Sequence, residues 1–311
     1  MAYLATLRFN LFFNQYMKLL ITGSKGQLGW ELCRQGKERG HDLIPLDLPE
    51  FDITDKSTVS DTVTRSHAGL VVNSAAYTAV DKAESEIDMA FAVNRDGPSY
   101  LASACEKVHI PLIHISTDYV FDGCKNGAYL ETDLIAPIGV YGKSKAEGEE
   151  KVRSNLKEHI IIRTSWLYGV HGNNFVKTML HLGREQEELR VVDDQYGCPT
   201  FAADLAEAIL TIVSLFERGE NISWGTYHYC GGGSTTWYGF ASKIFEIAKG
   251  YDTLKLKKVV PISTSEYPTP SKRPANSIMD CTLLERNFRI SPKPWEDNLS
   301  RMLTEYYHAN I

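Results

Sequence analysis

The chain has 311 residues, 43% of them hydrophobic and 23% charged, with a formal net charge of -6 at pH 7. That length can bury a large core, as one big α/β domain or as a major domain with a smaller lobe. Mild acidity with scattered basic residues leaves no electrostatic footprint for nucleic acid or an anionic membrane, so neither is expected as a partner.

The densest basic cluster, Lys255, Lys257 and Lys258, reads as a solvated strand edge. Cys33, Cys105, Cys124, Cys198, Cys230 and Cys281 form no CxxC pair and no metal-ligand spacing with histidine. Reduced thiols in a cytoplasmic setting are the expectation.

The segment before Met17, MAYLATLRFNLFFNQY, has a short apolar part broken by Arg8, Asn10 and Asn14. It is a poor signal peptide and too short to span a bilayer. Residues 1–16 are expected to be a non-native or disordered extension, with the functional protein starting at Met17.

From there, short apolar runs recur: Leu19 to Ile21, Leu43 to Leu46, Leu70 to Val72, Leu112 to Ile115 and Ile160 to Ile162. Runs rich in β-branched residues without polar alternation suit strands buried on both faces of a parallel sheet. The intervening segments read as helices. Gln27 to Arg39 stops at Gly40, and the Ala83 to Ala104 region opens with acidic residues, which suit a helix N-terminus. The alternation predicts a doubly wound α/β fold with a parallel sheet.

The first run leads straight into Gly23-Ser24-Lys25-Gly26-Gln27-Leu28-Gly29, a strand entering a glycine-spaced loop and then a helix. The first glycine permits a tight turn, the second a close backbone approach to a pyrophosphate, and the third helix-on-strand packing. N–H groups at the helix start and the helix dipole favour phosphates there. Asp47 closes the second strand, where an acid can accept ribose hydroxyls and favour NADH over NADPH. Lys25 in the loop and Arg34 on the helix weigh the other way. Asp52 and Ile53 are placed to flank an adenine ring.

Further on, Thr117 stands in ISTDYVFDG, and Tyr141 and Lys145 lie four residues apart in YGKSK. Four residues is about one helical turn, so phenol and ammonium share a face. A tyrosine beside a fixed cation ionises below its free pKa of about 10, and its phenol can give a proton to a carbonyl oxygen as hydride arrives at the carbon. Past residue 165, proline, glycine and aromatic residues become more frequent. We expect a Rossmann domain over 17–165 with return strands within 185–235, and a smaller α/β substrate-binding lobe over 166–311 interleaved with it. Trp295 to Tyr307 reads as an amphipathic helix with Leu299, Met302, Leu303 and Tyr306 on one face.

With these residues in place, the chain from Met17 onward closely resembles the dTDP-4-dehydrorhamnose reductase family of extended short-chain dehydrogenase/reductases. The resemblance is carried by GxxGQLGWEL, NSAAYTAVDKAE, STDYVFDG, YGKSKAEGE, RTSWLYG, GNNFVKTML, DDQYGCPT, TTWYGFA and YPTPSKRPANS. It implies reduction of the 4-keto group of a dTDP-4-keto-6-deoxy sugar to dTDP-L-rhamnose with NADPH or NADH.

By the same resemblance, Tyr141 would be the proton donor. Lys145 would hold the nicotinamide ribose and lower the Tyr141 pKa, and Thr117, with Asp118 beside it, would contact the substrate. Ser116 could replace Thr117. Gly23, Gly26, Gln27 and Leu28 would hold the cofactor phosphates, and Ala75 and Ala76, just past Asn73 at the third strand's end, its backbone. Trp166 is either core or a platform for the sugar; Arg273 pairs with the diphosphate or is a surface cation. Asp81 and Glu84 read as a helix start, and His114 reads as a core histidine. Homodimers are implied, and a structural Mg²⁺ through Glu31, with Glu305 as a second glutamate. The same residues leave open a sugar-nucleotide 4-epimerase that keeps its NAD⁺, or a catalytically silent subunit such as serves methionine adenosyltransferase.

Overall fold

The apolar runs form the parallel strands β1 (Lys18–Thr22), β2 (Asp42–Leu46), β3 (Leu70–Asn73), β4 (Leu112–Thr117) and β5 (His159–Thr164) of a computed structural model that describes residues 17–308. The expectation for residues 1–16 lies outside the described residues. Every side chain of β3 and β5 is buried, as runs without polar alternation require in a sheet covered on both faces. β2 departs from this, with Asp42 and Pro45 exposed. It lies at the edge of the sheet beside β1, where a residue without an N–H costs less ladder bonding.

Helices α1 (Gln27–Glu38) and α2 (Lys56–Ser66) make the first crossovers. The stretch expected as one helix from Ala83 is broken into α3 (Val80–Ala83), α4 (Ile87–Phe91), a π-turn at Ala92–Asp96 and α5 (Gly97–Val108). Pro98 at the start of α5 cannot continue the hydrogen-bond ladder of a preceding helix. The π-turn places buried Asn94 where its amide accepts from Tyr77 N (2.9 Å) and donates to Tyr77 O and Ser144 Oγ (both 3.0 Å). Ser144 lies on α6 (Val140–Asn155), so the irregular turn anchors the helix that carries Tyr141 and Lys145.

Beyond β5 come β6 (Leu167–Tyr168), α7 (Phe175–Glu185), β7 (Glu188–Val192), β8 (Tyr196–Gly197), β9 (Thr200–Phe201) and α8 (Ala202–Glu217). β10 (Gly225–His228) then rejoins the central sheet beside β5, giving the order β10-β5-β4-β3-β1-β2, parallel throughout. The chain ends with β11 (Thr235–Thr236), α9 (Trp237–Ala248), β12 (Lys258–Ile262), α10 (Thr282–Phe288) and α11 (Trp295–His308).

One apolar cluster joins α1, α8 and one face of the sheet; a second joins α2, α5 and the other face. A third packs α7, α9 and α11 together, with Leu299, Met302 and Leu303 of α11 buried in it. The crossovers from β1 to β2 and from β3 to β4 run to opposite sides. In such sheets a cleft opens outside the carboxyl ends of the strands at the switch point. Among the described residues no helix is long and apolar enough to cross a membrane.

Candidate active site

The cleft at that switch point has a volume of about 900 Å³. Its floor is the loop from β1 to α1. Gly23 has φ +70°, and a Cβ there would lie 2.5 Å from Ala75 N. A Cβ on Gly29 would collide with the carbonyl oxygen of Gly23, so the loop can close only with glycine at both places. Helix α1 has no side-chain cap at Gly26, which leaves its first N–H groups at Gln27 and Leu28 for an anion. Asn73 ties the neighbouring strand ends together, its Oδ1 accepting from Thr22 Oγ1 at 2.7 Å and from Ala75 N at 3.1 Å. Ala75 and Ala76 line the cleft wall, as do Asp47, Asp52 and Ile53 at its far corner.

Thr117, Asp118, Tyr141 and Lys145 meet at the opposite end of the same cleft. β4 delivers Thr117, and α6 delivers Tyr141 and Lys145 on one face. The Tyr141 ring packs edge-on against Tyr119, with centroids 5.4 Å apart. Thr117 Oγ1 donates to Asp118 Oδ1 (2.9 Å) and accepts from Tyr119 N (3.2 Å). Burial pushes the Tyr141 phenol up to about 12, against a lowering hydrogen bond with Thr117. Lys145 is 2% exposed and donates to Ile115 O at 2.6 Å. Burial brings its ammonium down to about 8, against the raising charge of Glu149. Burial also raises the Asp118 carboxyl to about 6.

Burial is the largest influence on the phenol, with the Asp118 charge adding to it, and the Lys145 ammonium is turned to the Ile115 carbonyl. A consequence is measurable: in the ligand-free protein, the ultraviolet difference between wild type and Tyr141→Phe should show no phenolate below pH 10. A phenolate band from this residue near pH 8 would assign the pKa-lowering role to Lys145.

Other residues singled out in the sequence fall as follows. Asp47 is not free: its Oδ2 accepts from Lys25 N (2.7 Å) and its Oδ1 from Leu48 N (2.8 Å). Asp52 closes an Asx turn onto Thr54. Trp166, at φ +46°, stacks on Trp237 with ring centroids 3.5 Å apart and 9° between planes, and it lines the cleft. Arg273 is not a lining residue; its Nη2 donates to Asp81 Oδ2 at 2.7 Å. His114 is a buried core residue hydrogen-bonded through Nδ1 to Asn73. Asp81 and Glu84 do more than start a helix. Asp81 also accepts from Ser271 N, while Glu84 Oε1 accepts from Ser271 Oγ (2.9 Å) and Val140 N (3.0 Å).

Glu31, implied by the resemblance as a metal ligand, is 1% exposed and paired with Arg34 at 2.7 Å. Arg34 supplies the positive charge that a cation would. The Glu305 carboxyl is raised by burial, opposed by Arg301, and further raised by the charge of Glu31. Yet among the described residues no group of three His, Cys, Asp or Glu side chains could hold a metal ion. One chain by itself thus supplies no complete Mg²⁺ site among the described residues.

Sequence reasoning assigned no role to the loop 172–174, which closes the cleft over Gln27 through a 3.0 Å bond from Asn174 Nδ2 to Gln27 Oε1. It also missed the buried pair of Arg163 with Glu149, at 2.7 and 2.9 Å. The only signal for that pair was the spacing of Glu149, one turn beyond Lys145.

The RmlD substrate binding domain family model matches residues 17–308. The dTDP-4-dehydrorhamnose reductase of Aggregatibacter actinomycetemcomitans is 44% identical over 287 residues, covering 92% of this chain and 98% of that protein. A crystal structure of dTDP-4-dehydrorhamnose reductase from Bacillus anthracis in complex with NADP superposes with a TM-score of 0.87 at 40% identity, covering 93% of this chain and 99% of that one. The UDP-glucose 4-epimerase of Thermotoga maritima shares the fold, with a TM-score of 0.78 at 21% identity over 94% of this chain and 99% of its own.

Proposed function

The chain belongs to the dTDP-4-dehydrorhamnose reductases, NADP-dependent oxidoreductases, and we propose that it reduces the 4-keto group of dTDP-4-dehydro-L-rhamnose with Tyr141 as proton donor. The observation that carries this reading is the convergence of Thr117, Tyr141 and Lys145 on one cleft with an uncapped, glycine-walled helix start. NADPH or NADH, bound along that floor, supplies the hydride.

The chain's own residues do the rest. The loop Gly23 to Leu28 holds the pyrophosphate. Lys145 orients the nicotinamide ribose and places positive charge beside the phenol. As the carbonyl oxygen gains negative charge, Tyr141 gives it a proton and Thr117 steadies it by hydrogen bonding. A phenol with a high pKa stays protonated at neutral pH, which suits a donor. Preorganised donors at that oxygen act where charge develops and are worth more in a desolvated cleft. Trp166, braced by Trp237, offers a flat face for the sugar or its methyl group. Arg273, ion-paired with Asp81, would exchange that carboxylate for the diphosphate of the sugar nucleotide.

The test is to follow nicotinamide absorbance with enzymatically prepared dTDP-4-keto-6-deoxy-L-sugar. Sugar-dependent oxidation of NADPH or NADH is expected. Tight nucleotide binding without oxidation would favour an epimerase or a silent subunit instead.

A further inference from the structure

Three cysteines from distant stretches of the chain meet behind the end of the cleft that holds Thr117. Cys198 lies between β8 and β9, Cys230 two residues past β10, and Cys281 just before α10. All three are free thiols. The Cys230 and Cys281 sulfurs are 3.6 Å apart, and both lie within donating distance of Met279 O, at 3.7 and 4.0 Å. Cys198 hydrogen-bonds to Cys230 as well. Among the described residues no cysteine lines the cleft, so the cluster belongs to no step described above.

Access separates the three. Cys198 and Cys230 are each 2% exposed, while Cys281 is half-buried. A small oxidant arriving from water meets Cys281 first, with the Cys230 sulfur already in contact behind it. The cluster packs on Val120 and Phe121, which follow Asp118 in the chain. Cys198 O accepts from Ser165 Oγ at 2.9 Å, and Ser165 lines the cleft next to Trp166. A shift of these sulfurs is therefore felt in the cleft wall.

We propose that Cys230 and Cys281 form an oxidation site that takes peroxides and ties the end of β10 to the start of α10. Hydrogen peroxide gives one oxygen to the Cys281 thiol, which becomes a sulfenic acid as water leaves. Cys230 then attacks that sulfur: the S–S bond forms, the S–O bond breaks, and the hydroxyl departs as water with the Cys230 proton. Two thiols lose two electrons, and one peroxide is reduced to two waters. The bridge draws the sulfurs from 3.6 Å to about 2.05 Å, a movement passed to Val120, Phe121 and the wall beside Trp166.

Peroxide treatment of the reduced full chain, followed by alkylation and peptide mass spectrometry, tests it. Wild type should lose the mass of two hydrogens, yield one peptide pair joined through Cys230 and Cys281, and recover both thiols with dithiothreitol. Cys281→Ser and Cys281→Ala should form no bridge. Cys124→Ser, which removes an exposed thiol, should bridge as wild type does. The bridged protein should lose roughly tenfold in kcat/KM for the sugar, because misplacement by about an ångström costs up to about 10²-fold, and reductant should restore it. Cys281→Ser should keep its turnover through the same treatment. Oxidation that stops at a sulfinic acid on Cys281, or a bridge through Cys198 or Cys124 instead, would overturn the site. A bridge with unchanged turnover would overturn its coupling to the cleft. The turnover readout rests on the reductase reading: a reduced wild type without turnover would overturn that reading and leave the mass result standing.

Discussion

Tyr141→Phe is expected to lower kcat by about 10²- to 10⁴-fold, the range for loss of a positioned general acid. Nucleotide affinity should change little. The ring that remains keeps its edge contact with Tyr119 and its place beside Ala83 and Ala90, so the variant should fold. The effect should be confined to the step in which the sugar oxygen gains charge, so kcat and kcat/KM should fall together. Turnover within a few-fold of wild type would remove Tyr141 from the proton path and leave Asp118 or water to supply it. Thr117→Val is the informative companion: it keeps the shape of the site and removes a hydroxyl that bridges the phenol to Asp118.

The second large effect is on stability. Arg163 is 1% exposed on β5, and Glu149 is fully buried on α6. Burial works to raise the Glu149 carboxyl, and the hydrogen bonds and charge of Arg163, with Ser116 and Arg153, more than reverse it, so its pKa is lowered overall. Arg163→Met leaves the buried carboxylate with one guanidinium partner, Arg153 at 3.1 Å, and is expected to cost about 3 kcal/mol, the low end for breaking a buried pair, roughly 5–10 °C in melting temperature.

The sign with pH follows from the lowered carboxyl. The stabilisation is fully present above the unfolded carboxylate pKa of about 4.3, and it fades as pH falls through the folded value. The gap between wild type and variant should therefore be widest near neutrality and narrow in acid. The double change Arg163→Met with Glu149→Leu should recover much of the loss, since a buried pair is often matched by apolar groups. A single variant that melts within a degree of wild type at pH 7 would show the pair to be dispensable.

Local features were legible in the sequence, and long-range ones were not. β1, the glycine loop and α1 form one contiguous segment whose steric needs are written in Gly23, Gly26 and Gly29. Tyr141 and Lys145 announce themselves by helical spacing. Their pKa values could not be read, because the spacing suggests a neighbouring charge but says nothing of burial. The break in the helix after Ala83 was signalled by Gly97-Pro98 and was overridden by the acidic opening.

Asp47 was correctly placed at the strand end. Its partners, Lys25 N and Leu48 N, depend on how the loop folds back across it. Arg273 looked like an anion clamp because its partner Asp81 lies 192 residues away. No pattern in one sequence connects the two. The burial of Glu31 was hidden for a related reason: Arg34 on its own helix was visible, but α8 packing against α1 was not.

The carboxylate of Glu84 has one more consequence. Its Oε1 joins Val140 N, at the first turn of the helix that carries Tyr141, to Ser271 Oγ, which comes 187 residues after Glu84 in the chain. During synthesis the half with the glycine loop, Thr117 and Tyr141 emerges first, and Asp81 and Glu84 must wait in water for their last partners. A chain that stops short of Ser271 would carry every group proposed for proton delivery and still lack the strap across their flank. Completion of the polypeptide is thus built into the seating of the helix that holds Tyr141.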